Sequence, residues 1–424
     1  SAKIVAAPGP ARKVAASTTV ISSSKYSTLP LPFSLPRFTH HLHETHSRKN
    51  CPHRLRFPSL SAYNKQNSPQ HIGASPDLNL RLSRSIRRNK DNKHLSARYV
   101  ISIALSTNFE NRASVQRFAA GAPKLEDKPF WFDRAINYPS ENSIVKVDGA
   151  PIHFTTWGEK GLPGVILIHG SNAHKEWWRF TAPFLAENFR IAALDLSGNG
   201  DSGWREKYTK ENFANEVWKV CEAAELGERP FVVGHSFGGF VALETGELYG
   251  DLLGGILFMD FTVAPPEEYV EWGLRVEREG VKPGRKLRIY EDRETAIGRF
   301  RFIPEQPGVH PLVLRHMAEF GLRQVEGGWT WKFDPTLFDY LEMGADQNIK
   351  FLNLPCRAAL MLGENSEDEG ALYGDYMLKA TNNMLPTITI PGTYHHLMFD
   401  QPLAVAMSMK MLLLEWRRLN SLSS

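Results

Sequence analysis

The residues with the clearest chemical pattern stand in "PFVVGHSFGGFVALE", positions 230–244. Ser236 lies between Gly234 and Gly238, with an apolar run directly before the motif and another directly after it. A buried strand that turns sharply into a helix at a serine is a nucleophile elbow: the strained turn lifts Oγ above the sheet. The N–H of Phe237, at the helix start, then points at any oxyanion that develops beside Ser236. A second donor is needed, and "ILIHGSNAHKEWW" supplies one. There Gly170 lets the backbone approach a substrate, and the N–H of Ser171 is the natural partner of Phe237. His169 in the same loop reads as structural, and Trp177 and Trp178 read as packing. A general base comes from "PGTYHHLMFDQPLAVA", where imidazole offers a pKa near working pH. His395 and His396 are adjacent there, and only one of them can face Ser236.

These residues must be held by elements, and the apolar runs show which. "GVILIHG", "FRIAALDLSGNG", "PFVVGHS", "GGILFMDF", "CRAALMLGE" and "PTITIPG" each end in Gly or a polar cluster, and helix-length stretches separate them. Continuous rather than alternating apolarity predicts strands covered on both faces, hence a mostly parallel, doubly wound α/β sheet. "NSIVKVDGAPIHFTTWG" adds two strands around an Asp-Gly turn. The rhythm fails only over 262–350, too long for a plain connection, which reads as a helical cap inserted above the sheet. Within it Trp329, Trp331 and Phe333 alternate as in a hairpin arm, or an aromatic lid to a pocket. The expected division is 1–125 as a basic extension, 126–261 and 351–424 as the two parts of the core, and 262–350 as the cap. In such sheets ligands bind outside the carboxyl ends of the strands, where the candidate residues stand.

Charge separates the front of the chain from the rest. Up to Phe109 there are 17 Lys and Arg against three acids, so the net +4 of the 424-residue chain leaves about −10 for the remainder. This Ser-, Arg- and Pro-rich front lacks a sustained hydrophobic period and is expected to be disordered, with an organelle-targeting presequence as the functional alternative. "HHLHETHSRKNCPH" gathers five His and a Cys without a recognisable zinc scaffold. No basic patch with interleaved aromatics suggests nucleic acid, and no apolar run approaches the roughly 18 residues that span a bilayer. Three scattered cysteines offer no disulfide framework, which favours a reducing compartment. A soluble intracellular protein is expected, cytoplasmic, or organellar if the front is a transit peptide.

From about residue 130 to 418 the chain resembles the α/β-hydrolase fold. The resemblance is carried by His169-Gly170, "LDLSGNGDS", the G-H-S-F-G elbow, and a histidine followed five residues later by Asp400 and seven later by Pro402. That spacing selects His395 as the base and leaves His396 a supporting role. Tyr394 stands where the family usually has Gly. The family most often places its acid three residues beyond the Gly that ends the strand before last; here that position is Ser366, which cannot carry the charge. Members with a G-x-x-S-D pattern shift the acid by one, to Glu367, with Asp368 beside it. A minority place it after the strand that follows the nucleophile helix, which here ends in Asp260. The resemblance implies a serine hydrolase acting on an ester, lactone or related small carbonyl substrate through an acyl-enzyme, with no metal or organic cofactor. Carbon–carbon bond hydrolysis, cofactor-free perhydrolase chemistry and a slow or inert small-molecule receptor are the competing readings. The sequence leaves the substrate and the oligomeric state open.

Overall fold

The computed structural model describes residues 127–422 apart from 280–283, 285, 340 and 368. It adds an antiparallel pair of three-residue strands, β1 (Ser83–Ser85) and β2 (Arg98–Val100). Apart from that pair, the expectations for the front extension, its histidine cluster and a targeting role lie outside the described residues.

All six apolar runs form strands. They are β5 (Gly164–Ile168), β6 (Arg190–Leu194), β7 (Phe231–His235), β8 (Gly255–Met259), β11 (Ala358–Gly363) and β12 (Thr387–Ile390). With β3 (Glu141–Val147) and β4 (Ala150–Trp157) they make one eight-stranded sheet, ordered β12-β11-β8-β7-β5-β6-β4-β3. The six strands from β12 to β6 are mutually parallel, while β4 runs antiparallel to β6 and β3 antiparallel to β4. Asp148 and Gly149, both at positive φ, make the two-residue turn between β3 and β4, as the favoured hairpin geometry requires.

The continuous apolar runs are buried on both faces. Ile166, Ile168, Val232, Ile256 and Phe258 pack into one core layer. Val165, Leu167, Phe231, Val233, Leu257 and Met259 pack into the opposite layer. Successive residues of a strand point to opposite sides, so both sets must be apolar when helices cover both faces. The helix Phe237–Tyr249 follows β7 and is buried over its first ten residues.

Between β8 and β11 the chain forms helices Pro266–Glu279, Arg293–Ile297, Pro311–Phe320 and Gln347–Leu352. It also forms a hairpin of β9 (Leu322–Val325) and β10 (Gly328–Trp331). Trp329 and Trp331 thus lie on a hairpin arm, half-buried. Several contacts tie this segment to the loops at the carboxyl ends of the strands. Tyr208 donates its hydroxyl to Asp334 at 2.7 Å, His174 Nε2–H donates to the Met317 carbonyl at 3.0 Å, and Phe338 meets the ring of Phe237 edge-on at 5.1 Å. Among the described residues, no helix is long and apolar enough to cross a membrane.

Candidate active site

Backbone geometry at Ser236 explains the glycines around it. Ser236 takes φ 53° and ψ −124°, a conformation that L residues adopt only when the surroundings enforce it. A Cβ on Gly234 would stand 2.1 Å from the Gly238 carbonyl oxygen, and one on Gly238 would stand 2.5 Å from that of Ile168. Strand and helix therefore close on each other with no room for side chains on either side of the serine. Phe237 begins the helix, so its N–H has no acceptor within it. A Cβ on Gly170 would lie 3.1 Å from Ser236 Cβ, which brings the backbone just before Ser171 against the serine.

That loop is held by its own buried histidine. The Leu196 N–H donates to His169 Nε2 at 3.1 Å, which leaves the proton on Nδ1 to donate to the Gly170 carbonyl at 2.7 Å. Burial lowers the His169 pKa, as suits a neutral ring that both accepts and donates. Asp195, fully buried, accepts from the backbone N–H and the ammonium of Lys175 and from the Asp201 N–H. These bonds fix the two loops after β5 and β6 together.

His395 lies in the loop after β12 and is buried. Its Nδ1–H donates to Asp260 Oδ1 at 2.8 Å, so Nε2 carries the lone pair. Asp260 follows the last residue of β8, whose register sets Met259 opposite His235; Ser236 and Asp260 thus stand at the ends of neighbouring strands. Asp260 is fully buried, at φ 45°, and accepts two further bonds: from the Gly363 N–H at 2.8 Å and from the Ser366 hydroxyl at 2.6 Å.

The expectation that Glu367 orients the histidine is corrected here. Glu367 is exposed, and the structure brings Asp260 to His395 in its place. The physical reason lies one residue earlier. The loop after β11 turns Ser366 inward, and the next side chain points outward, ahead of the short helix Glu369–Leu372. Asp368, the neighbouring candidate, lies outside the described residues.

The His395 loop is clamped by groups that sequence reasoning passed over. His235, inside the elbow, donates Nε2–H to the His395 carbonyl at 2.9 Å. Gln306, from the segment between β8 and β11, donates to Asp400 at 2.5 Å and accepts from the His396 N–H at 3.1 Å. Asp400 also accepts from the Tyr394 N–H at 2.8 Å. His235 could have been suspected, since it sits beside the serine. Gln306 carries no such signal.

Residues 165–407, more than half of the chain, match the alpha/beta hydrolase family. The chain belongs to that family. It is 26% identical over 201 residues to an esterase of Mycobacterium tuberculosis, covering 45% of this chain and 63% of the esterase. It is 35% identical over 114 residues to a lipase of the same organism, covering 27% of this chain and 42% of the lipase. The matches thus span less than two thirds of either relative. Among solved structures, E-2-(acetamidomethylene)succinate hydrolase superposes with a TM-score of 0.53 at 19% identity, covering 64% of this chain and 98% of that one. A likeness at that identity speaks for the fold alone. In this alpha/beta hydrolase, as in any, the chemistry has to be argued from the residues at the strand ends.

Proposed function

We propose that the protein is a serine hydrolase that cleaves a small or medium ester, lactone or related carbonyl compound through an acyl-enzyme. The observation that carries this reading is the buried Asp260–His395 pair, set one strand away from a serine in elbow geometry. In the proposed cycle His395 Nε2 takes the proton of Ser236 as Oγ attacks the carbonyl. The Ser171 and Phe237 N–H groups stabilise the oxyanion, and Asp260 holds the Nδ1–H tautomer and the imidazolium that forms. The imidazolium then protonates the leaving group, and water activated by the same histidine releases the acyl group. Opening an epoxide through an alkyl-ester intermediate requires a carboxylate nucleophile, and position 236 is a serine. The segment 262–350 is proposed to act as a cap over this site. Phe338 against Phe237 supports that role, as do the Gln306 bonds to the base's loop.

The test is covalent labelling with a fluorophosphonate, followed by rates on a panel of p-nitrophenyl esters and lactones. The wild-type chain should label and turn over, and Ser236→Ala should do neither. Ser236→Ala and His395→Ala should each lower kcat by about 10³ or more, and the double variant should be little worse, because the members act as one unit. A chain that binds ligands but does not label would be a receptor on the same fold.

A further inference from the structure

His235, His395 and His396 form a buried cluster that the proposed reaction uses only in part. One ring nitrogen from each lies within 4.8 Å of the others. Hydrogen bonding decides where two of the lone pairs are. His235 Nε2 faces a carbonyl and His395 Nδ1 faces a carboxylate, both of which only accept. The lone pairs are therefore on His235 Nδ1 and His395 Nε2. Metal-ligating histidines share this arrangement, one nitrogen donating to a carbonyl or carboxylate while the other binds the ion.

A second observation points to a ligand. His235 Nδ1 and both ring nitrogens of His396 are buried without a hydrogen-bond partner. The Ile303 and Pro304 carbonyls lie beside the His396 ring, but neither is in hydrogen-bonding geometry. The ring is otherwise packed by Trp177, at 5.0 Å between centroids, and Phe302, at 5.2 Å.

We propose that His235, His395 and His396 form a binding site for a divalent transition ion of the Zn²⁺ class, and that the bound ion switches the hydrolase off by taking the lone pair of the base. The switching half rests on the reading of His395 as that base; the binding half does not. Zn–N bonds of about 2.0–2.1 Å at tetrahedral angles set the nitrogens about 3.4 Å apart. The three rings must therefore draw together, and His396, whose ring nitrogens have no hydrogen-bond partner, is the ring able to move. The Asp260 bond to His395 stays in place and strengthens the ligand. Three imidazoles without a carboxylate in the set favour Zn²⁺ or Co²⁺ over Mg²⁺ or Ca²⁺, which prefer oxygen.

The experiment uses the full chain. Initial rates on p-nitrophenyl acetate are measured against ZnCl₂, CoCl₂ and MgCl₂, with EDTA added afterwards. Zinc and cobalt should inhibit and EDTA should restore the rate, while magnesium should have no effect. His396→Phe should keep its basal rate within about tenfold and raise the zinc concentration for half-inhibition by about tenfold or more, as removal of one ligand in three implies. Wild-type sensitivity in a folded His396→Phe would overturn the proposal. Calorimetric zinc titrations of Ser236→Ala and Ser236→Ala/His396→Phe read the site without catalysis. The second should bind that ion about tenfold or more weakly, whatever the front segment's histidines hold in both, and superimposable isotherms would overturn the site. If neither wild-type nor variant hydrolyses any ester but the isotherms differ in this way, the hydrolase reading fails and the metal site stands. Should His396→Phe not fold, His396→Leu replaces it. The visible absorption of Co²⁺ bound to the wild-type chain gives an independent reading, tetrahedral nitrogen ligation being expected and its absence counting against the site.

Discussion

Replacing Asp260 by Asn is the sharpest test of how the site is built, because three donors converge on that carboxylate. His395 Nδ1 and Ser366 Oγ share Oδ1, and the Gly363 N–H meets Oδ2. An amide can satisfy only one side. If its oxygen turns to the Gly363 N–H, its NH₂ faces His395 Nδ1, and the ring must move its proton to Nε2, the wrong tautomer for a base. If its oxygen turns to His395, the NH₂ abuts the buried N–H of Gly363, and an unmet donor there costs about 1–3 kcal/mol. Ser366 can rotate its hydroxyl and does not decide between them; the fixed backbone N–H does, in favour of the wrong tautomer. The loss expected for a misoriented base is about 10³ to 10⁴ in kcat, or roughly 4 to 5.5 kcal/mol of transition-state stabilisation. Steady-state rates on a p-nitrophenyl ester read kcat, and a thermal melt checks that the variant folds. Glu367→Gln, on an exposed side chain, should stay within about twofold of wild type. A folded Asp260→Asn within tenfold of wild type, or an equal loss in Glu367→Gln, would refute the reasoning.

Other expected outcomes follow from single contacts. Ser366→Ala removes one 2.6 Å bond to Asp260 but leaves the charge, so kcat on a p-nitrophenyl ester should fall by about tenfold or less. Burial lowers the His174 pKa to about 4 from 6.5. The unfolded chain therefore takes up a proton below pH 6.5 that the folded one refuses until about pH 4, and stability present above 6.5 is lost as pH falls through that window. Between pH 6.5 and 5 this amounts to about 2 kcal/mol, which denaturant titrations of His174→Gln against wild type should show as a flatter pH dependence. Gly238→Ala would press a Cβ to within 2.5 Å of the Ile168 carbonyl oxygen, and should give an insoluble or inactive chain. The buried core of the described residues begins at Ala135. Deleting residues 1–120 should accordingly leave the melting temperature and esterase rate within error.

The sheet was legible because each strand is a short, doubly buried apolar run with punctuation at its end. The six parallel strands and the β3–β4 hairpin fall where those runs stand. Ser236 was legible for the same local reason: the strand, turn and helix are contiguous, and the glycines mark the close approach. His395 was reached by spacing to Asp400 and Pro402, and Asp400 proves to tie down the Tyr394 N–H inside that very loop. The acid was legible only as a choice between two strand ends, with Asp260 one of its candidates. It lies 135 positions from its partner, and neither hydrophobic period nor turn chemistry records which strand end points at a given histidine. Gln306 was out of reach likewise, since one glutamine in a long insertion looks like any other until the fold brings it to Asp400.

The two candidate acids are better understood as alternatives for one task than as rival sites. A carboxylate can reach an imidazole on the β12 loop from the end of β11 or from the end of β8, because those strands are neighbours in the sheet. Whichever end supplies the charge, the other must satisfy it, since a buried carboxylate is tolerable only when its oxygens are met by donors. Here β8 supplies Asp260, and the β11 end supplies the Gly363 N–H and the Ser366 hydroxyl. Ser366 is thus no vacancy left by a missing acid, and its inward turn keeps Glu367 outside. It follows that an acid cannot be restored at 366 by a single change. Ser366→Asp alone would set two carboxylates against one histidine and repel, raising one of their pKa values and lowering kcat. Ser366→Asp with Asp260→Asn would remove the repulsion and recover part of the rate lost in Asp260→Asn. Steady-state kinetics on the four chains read this directly. Recovery in the double variant would show that the β11 end reaches the imidazole, and a double variant no faster than Asp260→Asn would show that the two strand ends are not interchangeable in this loop path.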